Sequence, residues 1–150
     1  MNYDEITISN YFRVTDENKL DELEKDLACI GNYDREIYVA KFKDEKGNTY
    51  RKYSCYGSLE YGSYEDYDIE RFYKELQKIL PDKEAFVLMY VGYEGLRYVV
   101  SGFTVVTKDK IDYRNVDELI QEVVGLPDFN YRKFEGCYDE GYMINPKEDE

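Results

Sequence analysis

Histidine and tryptophan are absent from this 150-residue chain, and proline and cysteine occur three times each. Each scarcity closes off a class of chemistry. Without histidine there is no Ser-His or Cys-His nucleophilic device, and the commonest general base and zinc ligand is missing. Cys29, Cys55 and Cys137 are odd in number, far apart and form no C-x-x-C. A disulfide framework is therefore not expected, and a reducing cytoplasm fits better. The longest apolar run, AFVLMYV at 85–91, is far short of the roughly 20 residues that a membrane-spanning helix requires. The acidic N-terminus does not read as a signal peptide. Neither G-x-G-x-x-G nor a Walker A loop is present, so no cofactor is expected.

What the chain has in excess is tyrosine, 18 in all, and negative charge, with 33 acidic residues against 20 basic and a net charge of -13. Residues 1–34 carry nine acids and three bases, residues 53–70 five acids and no base, and residues 134–150 six acids and one base. Residues 35–52 are net basic and residues 71–133 balanced. Such a field repels nucleic acid and anionic membrane, and it attracts basic partners, most strongly at low salt. The same charge also serves solubility alone. Apolar residues make up 43% and recur periodically, so a folded domain is expected despite a mean hydropathy of -0.73. At this length one core forms without a metal or disulfide staple.

The periodicities predict an α+β fold. ISNYFRV at 8–14 reads as a strand. Thr15 or Asp16 then caps a helix over about 16–30, with Leu20, Leu23, Leu27 and Ile30 on one face and Gly31 as its stop. EIYVAKFK at 36–43 and TYRKYSCY at 49–56 form a hairpin around DEKGN. A second helix over about 68–80 carries Ile69, Phe72, Leu76 and Ile79 on its stripe and ends at Pro81. The nearly continuous EAFVLMYV at 84–91 predicts a central strand. LRYVVSGFTVV at 96–106 returns beside it, with Gly102 marking a bulge or bend. Asn115 and Glu118 form a capping box for a third helix, closed by Gly125 and Pro127. The expected order is β-α-β-β-α-β-β-α, a single domain over residues 1–150 with one antiparallel sheet of about five strands and three helices. A short strand near 129–134 is followed by a flexible acidic tail, 135–150. The two helix–hairpin units match at an offset of 48 or 49 residues, a candidate internal repeat.

Acid–base chemistry in this chain would rest on carboxylates, lysine or tyrosine. No carboxylate pair lies in an apolar stretch where burial would raise its pKa. Asp66 and Asp68, or the tail acids, read as solvated carboxylates rather than a cation site. Cys29 and Cys55 read as small core residues.

The stretch CYGSLEYGSYEDYD at 55–68 stands apart. Tyr61, Tyr64 and Tyr67 recur every three residues among Gly, Ser and acids, outside any convincing strand pattern. Tyr with Ser and Gly on a loop is the composition of adaptable binding surfaces. Glu60, Glu65, Asp66, Asp68 and Glu70 surround those rings with one sign of charge. Tyr138, Asp139 and Glu140 repeat the mixture in the tail. Together these residues form the expected partner-binding set. An ordinary polar loop that tucks a ring or two against the domain has the same composition.

NYFRVTDENKLDEL at 10–23, the CYGS step at 55–58 and residues 74–111, with ILPDKEAF, GYEGLRYV and VVTKDKI, resemble small acidic proteins of Gram-positive phages, plasmids and conjugative elements. The resemblance covers about two thirds of the chain and implies a setting in which anti-defence inhibitors, anti-CRISPR and antirestriction proteins among them, are carried. It transfers no catalytic residue. The expected function is a non-enzymatic inhibitor that occludes a basic nucleic-acid-binding surface of a host defence protein. The alternatives are an immunity or antitoxin-like partner of a basic toxin, and an enzyme using Asp, Glu or Tyr. That enzyme would show a concave pocket holding a carboxylate of raised pKa.

Overall fold

Alternation of inward and outward side chains organises most of the molecule. In Thr49–Cys55, Arg51, Tyr53 and Cys55 are buried while the residues between them are half-exposed. A computed structural model describes residues 4–31, 34–95, 98–129 and 144–147. In chain order the elements are β1 (Asp4–Ser9), α1 (Glu17–Glu24), β2 (Leu27–Ile30), β3 (Ile37–Lys43), β4 (Thr49–Cys55), β5 (Ser58–Tyr61), α2 (Ile69–Gln77), β6 (Phe86–Glu94), β7 (Tyr98–Val106), β8 (Ile111–Asn115) and α3 (Val116–Val124). Six strands form an antiparallel sheet in the order β3-β4-β1-β6-β7-β8, and β2 pairs with β5 in a separate two-stranded sheet.

The expected single sheet of about five strands, in the order β-α-β-β-α-β-β-α, is therefore wrong. Among the described residues there are eight strands in two sheets. Three short strands account for the difference. β2 carries Leu27 and Ile30, which continue the helical stripe of α1 by coincidence of spacing. The helix stops at Lys25, whose N–H bonds Glu22 O and Leu23 O, and LACI turns to pair with β5. β5 was hidden by its composition, yet SLEY alternates, and Leu59 is buried opposite Cys29. β8 has no counterpart in the expected order and pairs with β7 from Gly102↔Asn115 to Val106↔Ile111. The first strand also lies earlier than expected, with Phe12 joined to Arg51 only by an isolated bridge.

Two glycines have different roles from those expected. Gly31 does not cap a helix. A Cβ there would collide with Tyr56 O and come within 3.0 Å of Gly57 Cα, so it permits close passage of two backbones. Gly102 makes no bulge, because β6 and β7 stay in register through Tyr90↔Gly102. It leaves room for Tyr113, whose Oη would lie 2.9 Å from an added Cβ.

The core lies between one face of the large sheet and a layer made of α1, α2 and the small sheet. Phe12, Tyr53, Phe72 and Phe86 meet there, with Phe12 and Phe86 edge-to-face at 4.8 Å and Phe72 and Phe86 at 5.9 Å. Asp16 caps α1 by accepting from Lys19 N, and Asp68 caps α2 by accepting from Glu70 N. Past the end of α2, Ile79 O accepts from both the N–H and the hydroxyl of Thr15. Asn115 caps α3, and Gly125 closes it in the left-handed conformation. The opposite sheet face carries Ile6, Met89, Tyr93 and Val99 exposed among the described residues. The candidate repeat does not match the sheet position of its strands, since β3 is an edge and its counterpart β6 is central. The expected strand near 129–134 falls outside the described residues apart from Phe129, and of the tail only 144–147 is described, all exposed. No helix among the described residues is long and apolar enough to cross a membrane.

Candidate functional site

The acidic stretch begins as a strand and ends as a helix cap, so its carboxylates are held by regular structure on both sides. β5 positions Glu60 and Tyr61. Gly62 follows with φ 115, and a Cβ there would strike Arg71 Nη2 and, at 2.7 Å, Asp66 O, so the turn requires glycine. Gly62 N donates to Asp26 O and Asp68 N to Tyr61 O, both at 2.8 Å, which ties the loop to the body at each end. Arg71, from α2, reaches back into the loop. Its Nη2 donates to Asp66 O, its Nη1 lies 3.6 Å from Asp66 Oδ2, and its guanidinium covers the Tyr61 ring at 5.8 Å.

The expected partner-binding residues divide into two groups. Tyr64, Glu65, Asp66, Asp68 and Glu70 are exposed, with Tyr64 at 81%. Glu60, Tyr61 and Tyr67 are half-buried. The Tyr61 ring turns to the core and lies 5.5 Å from Phe72. Asp66 and Asp68 do not act as a shared cation site, since the first holds Arg71 and the second caps α2. Glu65 is the one non-glycine residue with positive φ among the described residues, at 73°. Tyr138, Asp139 and Glu140 lie outside the described residues.

Glu60 points toward a cleft that the sequence did not reveal. This cavity, of about 310 Å³, is floored by the large sheet and walled by β5 and the first turns of α2. Thr7, Leu88, Tyr90, Gly102, Thr104 and Tyr113 form the floor, and Ser58, Glu60, Ile69, Glu70 and Tyr73 form the wall. Among the described residues no lysine or arginine lines it. Burial raises the Glu60 carboxyl above its ordinary value, and the charge of Asp68 adds to the rise. The backbone N–H groups of Ile69 and Tyr61 act in the opposite sense. Burial likewise pushes the Tyr73 hydroxyl up to about 12, against a lowering hydrogen bond with Thr104. Glu60 is a single carboxylate in a polar stretch, raised by a fold that the sequence did not show. The strand alternation of SLEY was the signal that placed it, because Leu59 and Glu60 must face opposite ways.

A second carboxylate cluster is structural. Glu17, Asp21 and Glu24 stand on one stripe of α1 and converge on Arg51, which is 2% exposed. Arg51 Nη2 lies 2.7 Å from Glu17 and 2.9 Å from Asp21, and Nη1 lies 2.7 Å from Glu24. Tyr53 donates to Glu24 at 2.9 Å. Burial alone would lower the Arg51 pKa, but the bonds to Glu24 and Asp21 outweigh it and the guanidinium stays charged. Arg51 Nε has no hydrogen-bond partner. Burial also raises the Cys29 and Cys55 thiols, so both are poor nucleophiles.

No family model matches the chain, and neither a curated protein nor a solved structure matches it.

Proposed function

We propose that this protein is a non-enzymatic, cytoplasmic inhibitor that occludes a basic nucleic-acid-binding surface of a host defence protein, of the anti-CRISPR or antirestriction kind. The observation that carries this reading is the tip at 63–66. Tyr64 stands almost fully in solvent on a turn closed by Asp66 N bonding Ser63 O at 2.8 Å, beside Glu65 in a costly left-handed conformation. Strained backbone that presents an unpacked ring is a feature of binding sites more than of spacers. Arg71 ties the backbone of the tip from within through Asp66, so the turn is formed before binding. The partner is a basic protein, reached quickly through the field of a chain with net charge -13. The resemblance to proteins of mobile elements supplies the setting.

The test is affinity capture from nuclease-treated host lysate at low and high salt. The expected result is a basic nuclease or restriction subunit held at low salt and lost at high salt. Tyr64→Ala with Glu65→Lys abolishes its capture and its inhibition. Asp68 is left intact because it caps α2. Equal capture by the variant would sink the proposed face.

One observation favours a second reading. A concave pocket with a raised carboxylate is what a carboxylate- or tyrosine-based enzyme requires, and Glu60 beside Tyr73 meets that description. Turnover of a substrate that is lost in Glu60→Gln, with the tip variant fully active, would establish it.

A further inference from the structure

We propose that the cleft between β5, α2 and the large sheet is a pocket for an organic cation, a guanidinium or alkylammonium group, supplied by an arginine or lysine side chain of the basic partner. The inference rests on the function proposed above and adds a second point of contact to it.

Four observations lead to that ligand class. The first is size, since about 310 Å³ lies at the small end of the roughly 300–1,000 Å³ of ligand pockets. The second is charge. Glu60 and Glu70 line the cleft with no opposing base among the described residues, so an anion is repelled. The third concerns the one feature that would attract an anion, the N-terminus of α2. It is already capped by the chain's own Asp68, which accepts from Glu70 N, and Glu60 stands beside it in the cleft wall. The fourth is the remaining lining. The Thr7 hydroxyl donates its proton to Gly57 O, so its oxygen lone pairs remain on the floor as acceptors, and Thr104 adds a second hydroxyl to the lining. The Tyr73 and Tyr113 side chains add aromatic surface suited to a cation. A bound guanidinium would meet a half-buried carboxylate that has lost part of its water, where a charge-assisted bond is strongest. The tip follows the cleft wall directly in the chain, since Glu60 lies in the second half of β5 and only Tyr61, Gly62 and Ser63 separate it from Tyr64. A basic surface meeting Tyr64 therefore has a side chain within reach of Glu60.

The test is a titration of the ¹⁵N-labelled full chain followed by heteronuclear NMR. The ligands are Nα-acetyl-arginine amide, its neutral citrulline analogue, spermidine and inorganic phosphate. The arginine mimic is expected to shift the amides of Glu60, Ile69, Gly102 and Thr104 saturably, while citrulline and phosphate do not. Glu60→Gln removes the charge at nearly constant shape and is expected to weaken binding by about tenfold or more, the loss of a charge-assisted hydrogen bond. Glu70→Gln, at the exposed rim, is a second variant with no demand on the core and is expected to weaken binding less. Binding of citrulline equal to that of arginine, saturable binding of phosphate, or unchanged affinity in both variants overturns the cation pocket. Saturation by spermidine without the arginine mimic assigns the site to a free amine and overturns the side-chain source. The two proposals fail separately. Tyr64→Ala with Glu65→Lys removes partner capture without altering the arginine titration, whereas Glu60→Gln removes the titration even where no partner is captured.

Discussion

The α1 stripe and the tip of the 60–70 segment are both carboxylate clusters, yet their environments are opposite. Glu17, Asp21 and Glu24 close on a guanidinium that is 2% exposed. Glu65 and Glu70 face water, Asp68 caps α2, and Arg71, drawn into the loop, is spent on Asp66 and the Tyr61 ring. What separates them is whether a strand position delivers a base beneath them. Register decides it, since Arg51 is an inward residue of β4. Negative charge over a buried arginine is structural, and negative charge over nothing is available to a partner.

The largest way to break the comparison is to remove the cation. Arg51→Ala leaves three carboxylates facing one another above a cavity and is expected to cost about 3 kcal/mol, the low end for a broken buried pair because the carboxylates stay partly solvated. Urea unfolding reads the loss, and a variant as stable as the parent would show the cluster to be ornamental. Glu24→Gln removes the charge that both Arg51 and Tyr53 bond, at a cost of about 1–2 kcal/mol. The same change at Glu65 should leave the unfolding midpoint unchanged, which makes the pair a direct test of the two environments.

At the tip the sign should reverse. Glu65→Gly relieves a left-handed backbone that costs an L-residue about 1–2 kcal/mol, less the entropy of the added glycine, for a net gain of up to about 1 kcal/mol. Thermal melts would show the gain, while partner capture falls. A site that gains stability as it loses binding is a site shaped for binding.

The smallest effect lies in the cleft and depends on pH. Glu60 has its folded pKa above the ordinary carboxyl value of 4.5, so the folded chain holds its proton more tightly than the unfolded chain. Its contribution is favourable below 4.5 and is lost as pH rises through the raised value. Glu60→Gln should therefore raise the melting temperature at pH 7, and the gain should vanish on acidification to pH 4. A gain that persists at pH 4 would trace to packing rather than charge.

Much of the scaffold was legible in the chain. The caps at Asp16 and Asn115, the stripe of α2 and the hairpin around DEKGN are each encoded within a few residues. The failures have one cause. Leu27 and Ile30 fit a helix by spacing, and only the pairing Leu27↔Tyr61 and Ile30↔Ser58 makes them a strand. SLEY looked like loop because Tyr, Ser and Gly around it mask a four-residue alternation. Of the candidate site, the exposed acids and Tyr64 were readable from composition, whereas Thr7, Tyr73, Thr104 and Tyr113 carried no signal.

The sequence by itself determined the sign and unevenness of the charge, the absence of imidazole chemistry, and where helices could start. Those are properties of composition or of neighbours along the chain. Tertiary structure alone decided which carboxylates are spent and which are free. Arg51 meets Glu24 across 27 positions, Thr7 meets Gly57 across 50, and Glu60 acquires its raised pKa from a sheet floor built by four other strands. Burial depends on what folds over a residue, and that partner is not written beside it.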